Sequence, residues 1–376
     1  GHFNGQESSM KSLNINYLPA IDHLRGMAAL LILFYHGQHF ISRDFAFGDK
    51  VPDGYWLKTT NPISSLFIEG HTAVALFMVL SGFIFTYGAY DKSMNYWGFI
   101  RNRLFRIYPM FLLLMVVGIY AYPGNFNFIG MLQTLFFLSN AQGSLNLGEF
   151  SAMFWTISVE FLFYLIFPFL LRMMRNEGAK KMLLLIVVAI VFRTLAMLFG
   201  SNIRELSYWT IVGRIDQFII GMLAAKVFIE LKLSRKSWFL IFCASAVLVI
   251  TELFAFNRLG GWQISANWKV IWPTTEGTLW AVFIVSYVKV FSENKNIIQK
   301  SLSRIGEISF SIYLIHYIIV KLVIYRHWTI SFSSNAFRDG MLNSLILVVP
   351  ITILISILTY HVVEKPFLKF RGKYLS

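Results

Sequence analysis

Two ionisable side chains occur in the first apolar stretch of the chain, at a spacing that places them on one face of a helix. Arg25 and His36 are eleven residues apart, which at about 100° per residue is close to three turns and a rise of roughly 16 Å. An arginine can bind a phosphate or carboxylate, and a histidine can act as a general base near neutral pH. The alternative is a snorkelling arginine and a histidine hydrogen-bonded to a loop.

A second pair of basic residues precedes another apolar stretch. Arg103 and Arg106 are three residues apart, so they are neighbours on a helix. Paired guanidinium groups suit phosphate recognition. The alternative is that they only anchor the helix end on the side of the membrane where basic residues accumulate.

Three further ionisable residues lie within apolar segments. Glu160 sits among aromatic residues, where a carboxylate needs a cation, a hydrogen-bond donor or a proton; it is a catalytic candidate, and a structural pair is the alternative. Arg214 and Asp216 are two residues apart and do not share a helix face, so each is expected to pair with a different helix. Asp216 is a further catalytic candidate.

His316 lies in a later apolar stretch, with Tyr313 one turn earlier on the same helix face. Catalysis and a structural hydrogen bond are both open for this histidine. The spacing of His36 and His39 occurs in metal sites, but no further ligands are evident, so no metal is expected. Ser81 lacks the flanking glycines of a hydrolase nucleophile elbow, and Ser81 with Gly82 is expected to allow close helix packing.

The composition identifies the kind of chain that carries these residues. Of the 376 residues, 56% are hydrophobic and 14% charged, and the mean hydropathy is +0.60, which is typical of an integral membrane protein. The lone Cys243 excludes an internal disulfide and a thiolate metal cluster. The net charge of +14 is interpreted as cytoplasmic loops rich in Lys and Arg, and no nucleic-acid partner is expected.

The hydrophobic pattern predicts an all-α bundle of about ten transmembrane helices with both termini in the cytoplasm, because that orientation places most basic residues inside. A shorter run at 128–138 cannot span a bilayer and is predicted to be re-entrant or interfacial. Segment 42–70 caps a cavity or is a solvated loop. Residues 1–10 are interpreted as foreign to a native chain starting at Met10, which leaves 11–376 as one membrane domain. The predicted spans are 22–41, 72–90, 107–122, 153–171, 182–200, 208–230, 237–256, 271–291, 306–326 and 341–363.

Seven motifs in order resemble the acyltransferase-3 family of membrane acyltransferases, many of which O-acetylate surface polysaccharides or lipid-linked glycans. Each motif alone is weak, but their order over the whole chain is specific. The motifs are Arg25 with His36, FMVLSGF at 77–83, Arg103 with Arg106 before IYP, WTISVE at 155–160, RID at 214–216 with Gly221, SFSIYLIH at 309–316 and VEKPF at 363–367.

The resemblance implies a stand-alone O-acyltransferase, multi-pass in the cytoplasmic membrane of a bacterium. The donor would be cytoplasmic acyl-CoA, usually acetyl-CoA, held by Arg25, Arg103 and Arg106. His36 would be the catalytic residue. Our own hypothesis, beside the resemblance, is that Glu160 or Asp216 orients it. The acceptor would be a hydroxyl of a surface polysaccharide, a lipopolysaccharide or a lipid-linked glycan at the outer face. Further site candidates are Arg214, Tyr313, His316, Ser81 and Trp155.

A transporter is the rival interpretation, because intramembrane acidic and basic residues would also serve a proton-coupled transporter or flippase of a glycan or small solute. Neither inverted repeats nor paired broken helices are visible in the sequence, and this favours the enzyme. The oligomeric state is left open.

Overall fold

The computed structural model describes residues 13–376, and this part of the chain is helical, with only an isolated antiparallel bridge between Met94 and Leu375. The predicted all-α class is therefore confirmed. Residues 1–10, interpreted above as foreign, lie outside the described residues. The helices are α1 Pro19–Phe47, α2 Pro62–Ile68, α3 Thr72–Ala89, α4 Tyr96–Ala121, α5 Phe128–Leu135, α6 Phe154–Glu177, α7 Ala179–Leu198, α8 Ile203–Trp209, α9 Ile211–Glu230, α10 Arg235–Arg258, α11 Trp272–Val290, α12 Ile297–Glu307, α13 Ser309–Tyr325, α14 Ala336–Asn343, α15 Val349–Thr359 and α16 Lys365–Leu368.

Six helices within the described range are long and apolar enough to cross a membrane: α3, α4, α6, α7, α10 and the continuous helix Ala336–Leu368. That last helix contains α14, α15 and α16, joined by π-helical turns at Ser344–Val348 and Tyr360–Glu364. A seventh span results if α12 and α13, which meet at a bend of 78°, cross together. The protein is thus a multi-pass membrane protein, while a count of ten spans and cytoplasmic termini stay predictions.

Two shorter segments also have defined structure. The 128–138 run forms the eight-residue helix α5, which is too short to span a bilayer; its re-entrant or interfacial placement stays a prediction. Within 42–70, α1 continues to Phe47, and the side chains of Trp56 and Glu69 are buried. Part of this segment therefore packs against the bundle, although other residues in it are exposed.

Small residues let α3 and α9 approach until their backbones touch. A Cβ added to Gly82 would lie 2.0 Å from the Phe218 carbonyl oxygen, and one added to Gly221 would lie 2.1 Å from that of Val79. The expected role in close helix packing is confirmed for Gly82.

The start of α1 packs against α12 in the same manner. A Cβ on Gly306 would lie 1.9 Å from the Asp22 carbonyl oxygen, and one on Gly26 would lie 2.5 Å from that of Leu302. The first turns of α1, including Arg25, are therefore held against α12, beside the bend that leads into α13.

Candidate active site

A cavity of about 380 Å³ lies between α1, α3, α4, α6, α12 and α13. Six of the side chains singled out in the sequence line it, although they come from five different helices. These six are Arg25, Ser81, Arg103, Arg106, Glu160 and Tyr313.

Arginines give one part of this cavity a cationic lining. Arg25 donates to Asp22 at 3.3 Å, and Arg106 donates to the buried carboxylate of Glu364 at 2.9 Å. The guanidinium carbon of Arg103 lies 4.8 Å from the centre of the Phe85 ring. Among residues 13–376, Arg103 forms no ion pair with a carboxylate, so its charge is available to an anionic ligand.

Glu160 provides a carboxylate in the same cavity. The hydroxyl of Ser81 donates to its Oε1 at 2.8 Å, and the hydroxyl of Tyr164 donates to the same oxygen at 2.5 Å. Hydrogen bonds from these two donors hold the carboxylate in place. The carboxylate thus has the hydrogen-bond donors that the sequence predicts it needs, one on α3 and one in the next turn of α6.

His36 and His316 form a hydrogen-bonded pair, with 2.9 Å between Nδ1 of His36 and Nε2 of His316. Nδ1 of His316 lies 3.0 Å from the carbonyl oxygen of Ile312, which can only accept, so this nitrogen carries the proton. In the neutral ring Nε2 of His316 is then an acceptor, and Nδ1 of His36 must be the donor. Neutral His36 consequently keeps its lone pair on Nε2, the arrangement required of a general base.

The histidine pair adjoins the cavity but is outside its lining. Tyr313 lines the cavity, and its ring centre lies 5.8 Å from that of His316. His36 is partly exposed against the rings of Phe40 and Tyr317. Arg25 and His36 share a helix, as expected, but only Arg25 lines the cavity, and Tyr313 lies where the cavity meets the pair.

The carboxylates proposed to orient His36 have other partners in the described part of the chain. Glu160 is bonded to Ser81 and Tyr164, and fully buried Asp216 accepts from Arg193 at 2.9 Å and from Thr274 at 2.5 Å. Within residues 13–376, the side chain that His36 contacts by a hydrogen bond is His316 rather than either carboxylate.

Arg214, Asp216 and Trp155 belong to a second cluster around α9. Arg214 donates to Gln217 and lies 3.7 Å from Glu276 on α11, whereas Asp216 pairs with Arg193 on α7. The prediction that these two residues pair with different helices is confirmed. Trp155 packs its ring 4.5 Å from that of Trp209 and 5.1 Å from that of Tyr208.

The family model described as the acyltransferase domain of the acyltransferase-3 family matches residues 18–361. The chain belongs to this family. Acyltransferase-3 relatives include ORF330 of Acidianus two-tailed virus, whose name describes a candidate acetyltransferase, at 24% identity over 85% of this chain and 89% of the relative. The acyltransferase MdmB of Streptomyces mycarofaciens is 23% identical over 95% of this chain and 93% of its own length.

A third acyltransferase-3 relative, nodulation protein 10 of Rhizobium leguminosarum bv. viciae, is 22% identical over 93% of each chain. No solved structure matches the chain significantly. Membership in the acyltransferase-3 family identifies the protein as a membrane acyltransferase and favours the enzyme over the transporter.

Four residues of the chain contribute contacts that the sequence does not predict. Glu364 binds Arg106 and accepts from Ser311, although it was visible only as part of the VEKPF motif. Tyr164, one turn after Glu160, shares a helix face with it, which was a usable signal. Arg193 is a charge within an apolar helix and could have been recognised on that ground. Arg371 lines the cavity from beyond the last helix, and no sequence pattern indicates this.

Proposed function

We propose that the protein is a membrane O-acyltransferase that transfers an acetyl group from acetyl-CoA to a hydroxyl group of a glycan. One observation carries this proposal: a single cavity is lined by arginines and by Glu160, and it adjoins a histidine pair with an available ring nitrogen. The family membership supports acyl transfer, and the cationic lining supports a donor that carries phosphate groups.

The donor is proposed to lie with its phosphates at Arg103 and Arg106 and its pantetheine arm along α1. Arg25 and His36 are about three turns, or roughly 16 Å, apart along this helix, a distance that an extended thioester arm can cover. By the distribution of basic residues, the arginine part of the cavity faces the cytoplasm, where acyl-CoA is available.

His36 is proposed to act as the general base. Its Nε2 takes the proton of the acceptor hydroxyl while the oxygen forms a bond to the thioester carbonyl carbon. The carbon–sulfur bond then breaks, and the imidazolium returns the proton to the departing thiolate of CoA. Base catalysis of this kind supplies typically about 10²–10⁴-fold in rate. An alternative two-step path through an acyl-histidine is compatible with the same residues.

Glu160 is proposed to act in the cavity, where its carboxylate is held by Ser81 and Tyr164. It lies on the cavity side of Tyr313 and is suited to orient the donor near the thioester. For Asp216 the catalytic assignment stays a prediction, since the contacts described above place it in a buried ion pair with Arg193. The buried Tyr313 hydroxyl has no hydrogen-bond partner in the described part of the chain, so it is available to a substrate.

The acceptor is proposed to be a surface polysaccharide, a lipopolysaccharide or a lipid-linked glycan that arrives at the outer face of a bacterial cytoplasmic membrane. The partly exposed side of His36, bordered by Phe40 and Tyr317, supports entry of this substrate from a direction other than the donor cavity. Aromatic rings of this kind suit the apolar faces of sugars, and an enzyme with two entrances can join substrates from opposite sides of a membrane.

The donor assignment is tested by calorimetric titration of the purified protein with CoA. Wild type should bind CoA, and the double variant Arg103→Ala with Arg106→Ala should bind it at least roughly 10-fold more weakly, because hydrogen bonds to charged groups contribute about 1.5–3 kcal/mol each. Lys295→Ala, which removes an exposed cation outside the cavity, is the matched control. Equal affinity in the double variant and wild type would refute the phosphate assignment.

The transfer itself is tested by giving membranes acetyl-CoA with an isotopically labelled acetyl group and analysing the glycan fraction by mass spectrometry. Labelled ester groups should form with wild type, and His36→Ala should reduce their formation by about 10²–10⁴-fold. Near wild-type labelling by a folded His36→Ala protein would show that another residue is the base.

A further inference from the structure

The cavity that we propose for the donor has an excess of cationic groups, and one of them comes from outside the helical bundle. Its lining contains five arginines and three carboxylates. Four of the arginines belong to α1, α4 and α12. The fifth, Arg371, follows the last helix, which ends at Leu368.

The backbone of the segment that carries Arg371 forms hydrogen bonds with the side-chain amides of two asparagines. Asn102 on α4 donates to the carbonyl oxygen of Gly372 at 2.7 Å and accepts from its N–H at 3.0 Å. Asn14 accepts from the N–H groups of Tyr374 at 2.6 Å and Leu375 at 3.1 Å. We call residues 370–376, held by these two asparagines, the tail clasp.

Burial adds to these hydrogen bonds. Only 4% of Tyr374 and 2% of Leu375 are exposed, and the Tyr374 ring lies 5.5 Å from that of Phe99, edge to face. Leu375 also forms the isolated bridge with Met94. A segment with paired backbone groups and buried side chains has one conformation, so the position of Arg371 is defined by the fold rather than by chance.

Arg371 is close to the two arginines already assigned to the donor phosphates. Burial, together with the positive charges of Arg103 and Arg106, lowers the pKa of its guanidinium to about 10. Its Nε donates to the carbonyl oxygen of Leu368 at 3.1 Å. Three guanidinium groups that repel one another at one cavity wall are stabilised together by a multiply charged anion.

We infer that Arg371, positioned by the tail clasp, is a third phosphate-binding residue of this cavity beside Arg103 and Arg106, and that the site takes a ligand carrying more than one phosphate group. This inference rests on the proposed function, because it names a further contact to the same donor. Phosphate oxygens accept from the planar fork of a guanidinium in a bidentate manner, which an ammonium group cannot reproduce.

The test compares CoA binding by calorimetry in wild type, Arg371→Gln and Arg371→Lys. Arg371→Gln should weaken CoA binding roughly 10-fold or more, since it removes hydrogen bonds to a charged group. The affinity of Arg371→Lys for CoA should fall between those of wild type and Arg371→Gln, because lysine keeps the positive charge but lacks the planar pair of donors of a guanidinium. The control is Lys373→Gln, which removes an exposed cation two residues away in the same tail clasp and should bind like wild type.

Pantetheine, which has no phosphate, separates a phosphate contact from a general effect on the fold. Thermal stabilisation by saturating pantetheine should be the same in wild type and Arg371→Gln. Unchanged CoA affinity in Arg371→Gln, or an equal loss of the pantetheine effect, would overturn the inference while leaving the donor assignment intact. Wild type that fails to bind CoA would overturn both.

Discussion

Nδ1 of His36 donates a hydrogen bond to Nε2 of His316 across 2.9 Å, and the opposite nitrogen of His316 is occupied by the Ile312 carbonyl. The Ile312 carbonyl thus sets the tautomer of His316, and His316 in turn sets that of His36. In the proposed mechanism, a main-chain carbonyl and a second imidazole together take the orienting role that a carboxylate has in many catalytic triads. We therefore propose His316 as a positioning residue for His36.

The first prediction concerns this positioning. His316→Leu should lower acetyl transfer by roughly 10²-fold or more, because an incorrectly held tautomer costs about 10⁴-fold in the serine-protease triad. His316→Gln should retain more activity than His316→Leu, since its amide oxygen can accept from His36. The measurement is the formation of labelled ester on the glycan, with the exposed His361→Gln as control.

Equal activity of His316→Gln and His316→Leu would show that a hydrogen bond from His36 to residue 316 is not required for transfer. Affinity for CoA should be unchanged in both variants, because His316 is outside the cavity lining.

The second prediction concerns the contact between α3 and α9. Gly82→Ala and Gly221→Ala each place a methyl group within about 2 Å of a carbonyl oxygen on the facing helix, so each should destabilise the protein by about 1–3 kcal/mol. Thermal unfolding in detergent measures the loss. Gly124→Ala is the control, because its added Cβ meets open space, and a similar loss in all three variants would contradict the packing explanation.

The third prediction separates structure from catalysis at Asp216. Because Arg193 and Asp216 are both fully buried, removing either partner should destabilise the fold by about 3–5 kcal/mol. Arg193→Ala and Asp216→Ala should therefore melt at lower temperature by similar amounts. Glu205→Ala, which removes one partner of a more exposed pair with Arg204, should change stability by less than about 1 kcal/mol.

An Asp216→Ala protein that melts like wild type but no longer transfers acetyl groups would instead support the catalytic assignment.

The fourth prediction concerns the dependence of stability on pH. Burial lowers the pKa of Lys269, in the 3₁₀ turn before α11, to about 8, against about 10.4 in an unfolded chain. Between these values the unfolded chain binds more protons at this residue, so its contribution makes unfolding less favourable as pH rises. The free-energy cost of burying the charged ammonium group of Lys269 is fully present below pH 8, and it disappears as the pH rises through this range.

Lys269→Met should remove this part of the pH dependence. The variant should also be less stable at every pH, because Lys269 donates to the carbonyl oxygens of Gly261 and Trp262. The measurement is the melting temperature of wild type and variant between pH 7 and 10. An identical dependence of melting temperature on pH in the two proteins would contradict a lowered pKa of Lys269.

The sequence was most informative where one helix determined the answer. The Arg103 and Arg106 spacing and the shared face of Tyr313 and His316 follow from helical periodicity, and the need of Glu160 for partners follows from the cost of a carboxylate in an apolar segment. Tyr164, one of the two partners of Glu160, lies one turn away on the same helix, whereas Ser81 comes from α3. Six residues singled out in the sequence line one cavity. Residues of a site can therefore be recognised from the sequence even when the contacts between its helices cannot.

What could not be predicted are contacts between residues far apart in the chain. Helical periodicity indicates which face of α1 His36 occupies but not which helix lies opposite that face, so the sequence favours a carboxylate as its partner and does not indicate His316. The position of Arg371 depends on amides at residues 14 and 102, and these have no recognisable spacing. Three helices with buried polar residues, α1, α9 and α11, are not among the six helices that are apolar enough to span a membrane by length and composition, because their polar and charged residues make them less apolar.

The two π-helical turns in the helix Ala336–Leu368 have a consequence for how the last motif reaches the cavity. Each π turn contains one residue more than an α turn, so the residues after it are rotated by about 100° relative to an uninterrupted α-helix. Glu364, the last residue of the second π turn, pairs with Arg106 at 2.9 Å. Deleting a single residue between the two turns would rotate this carboxylate by about 100° about the helix axis, so the number of residues in the helix, as well as its composition, determines whether Arg106 keeps its counter-ion.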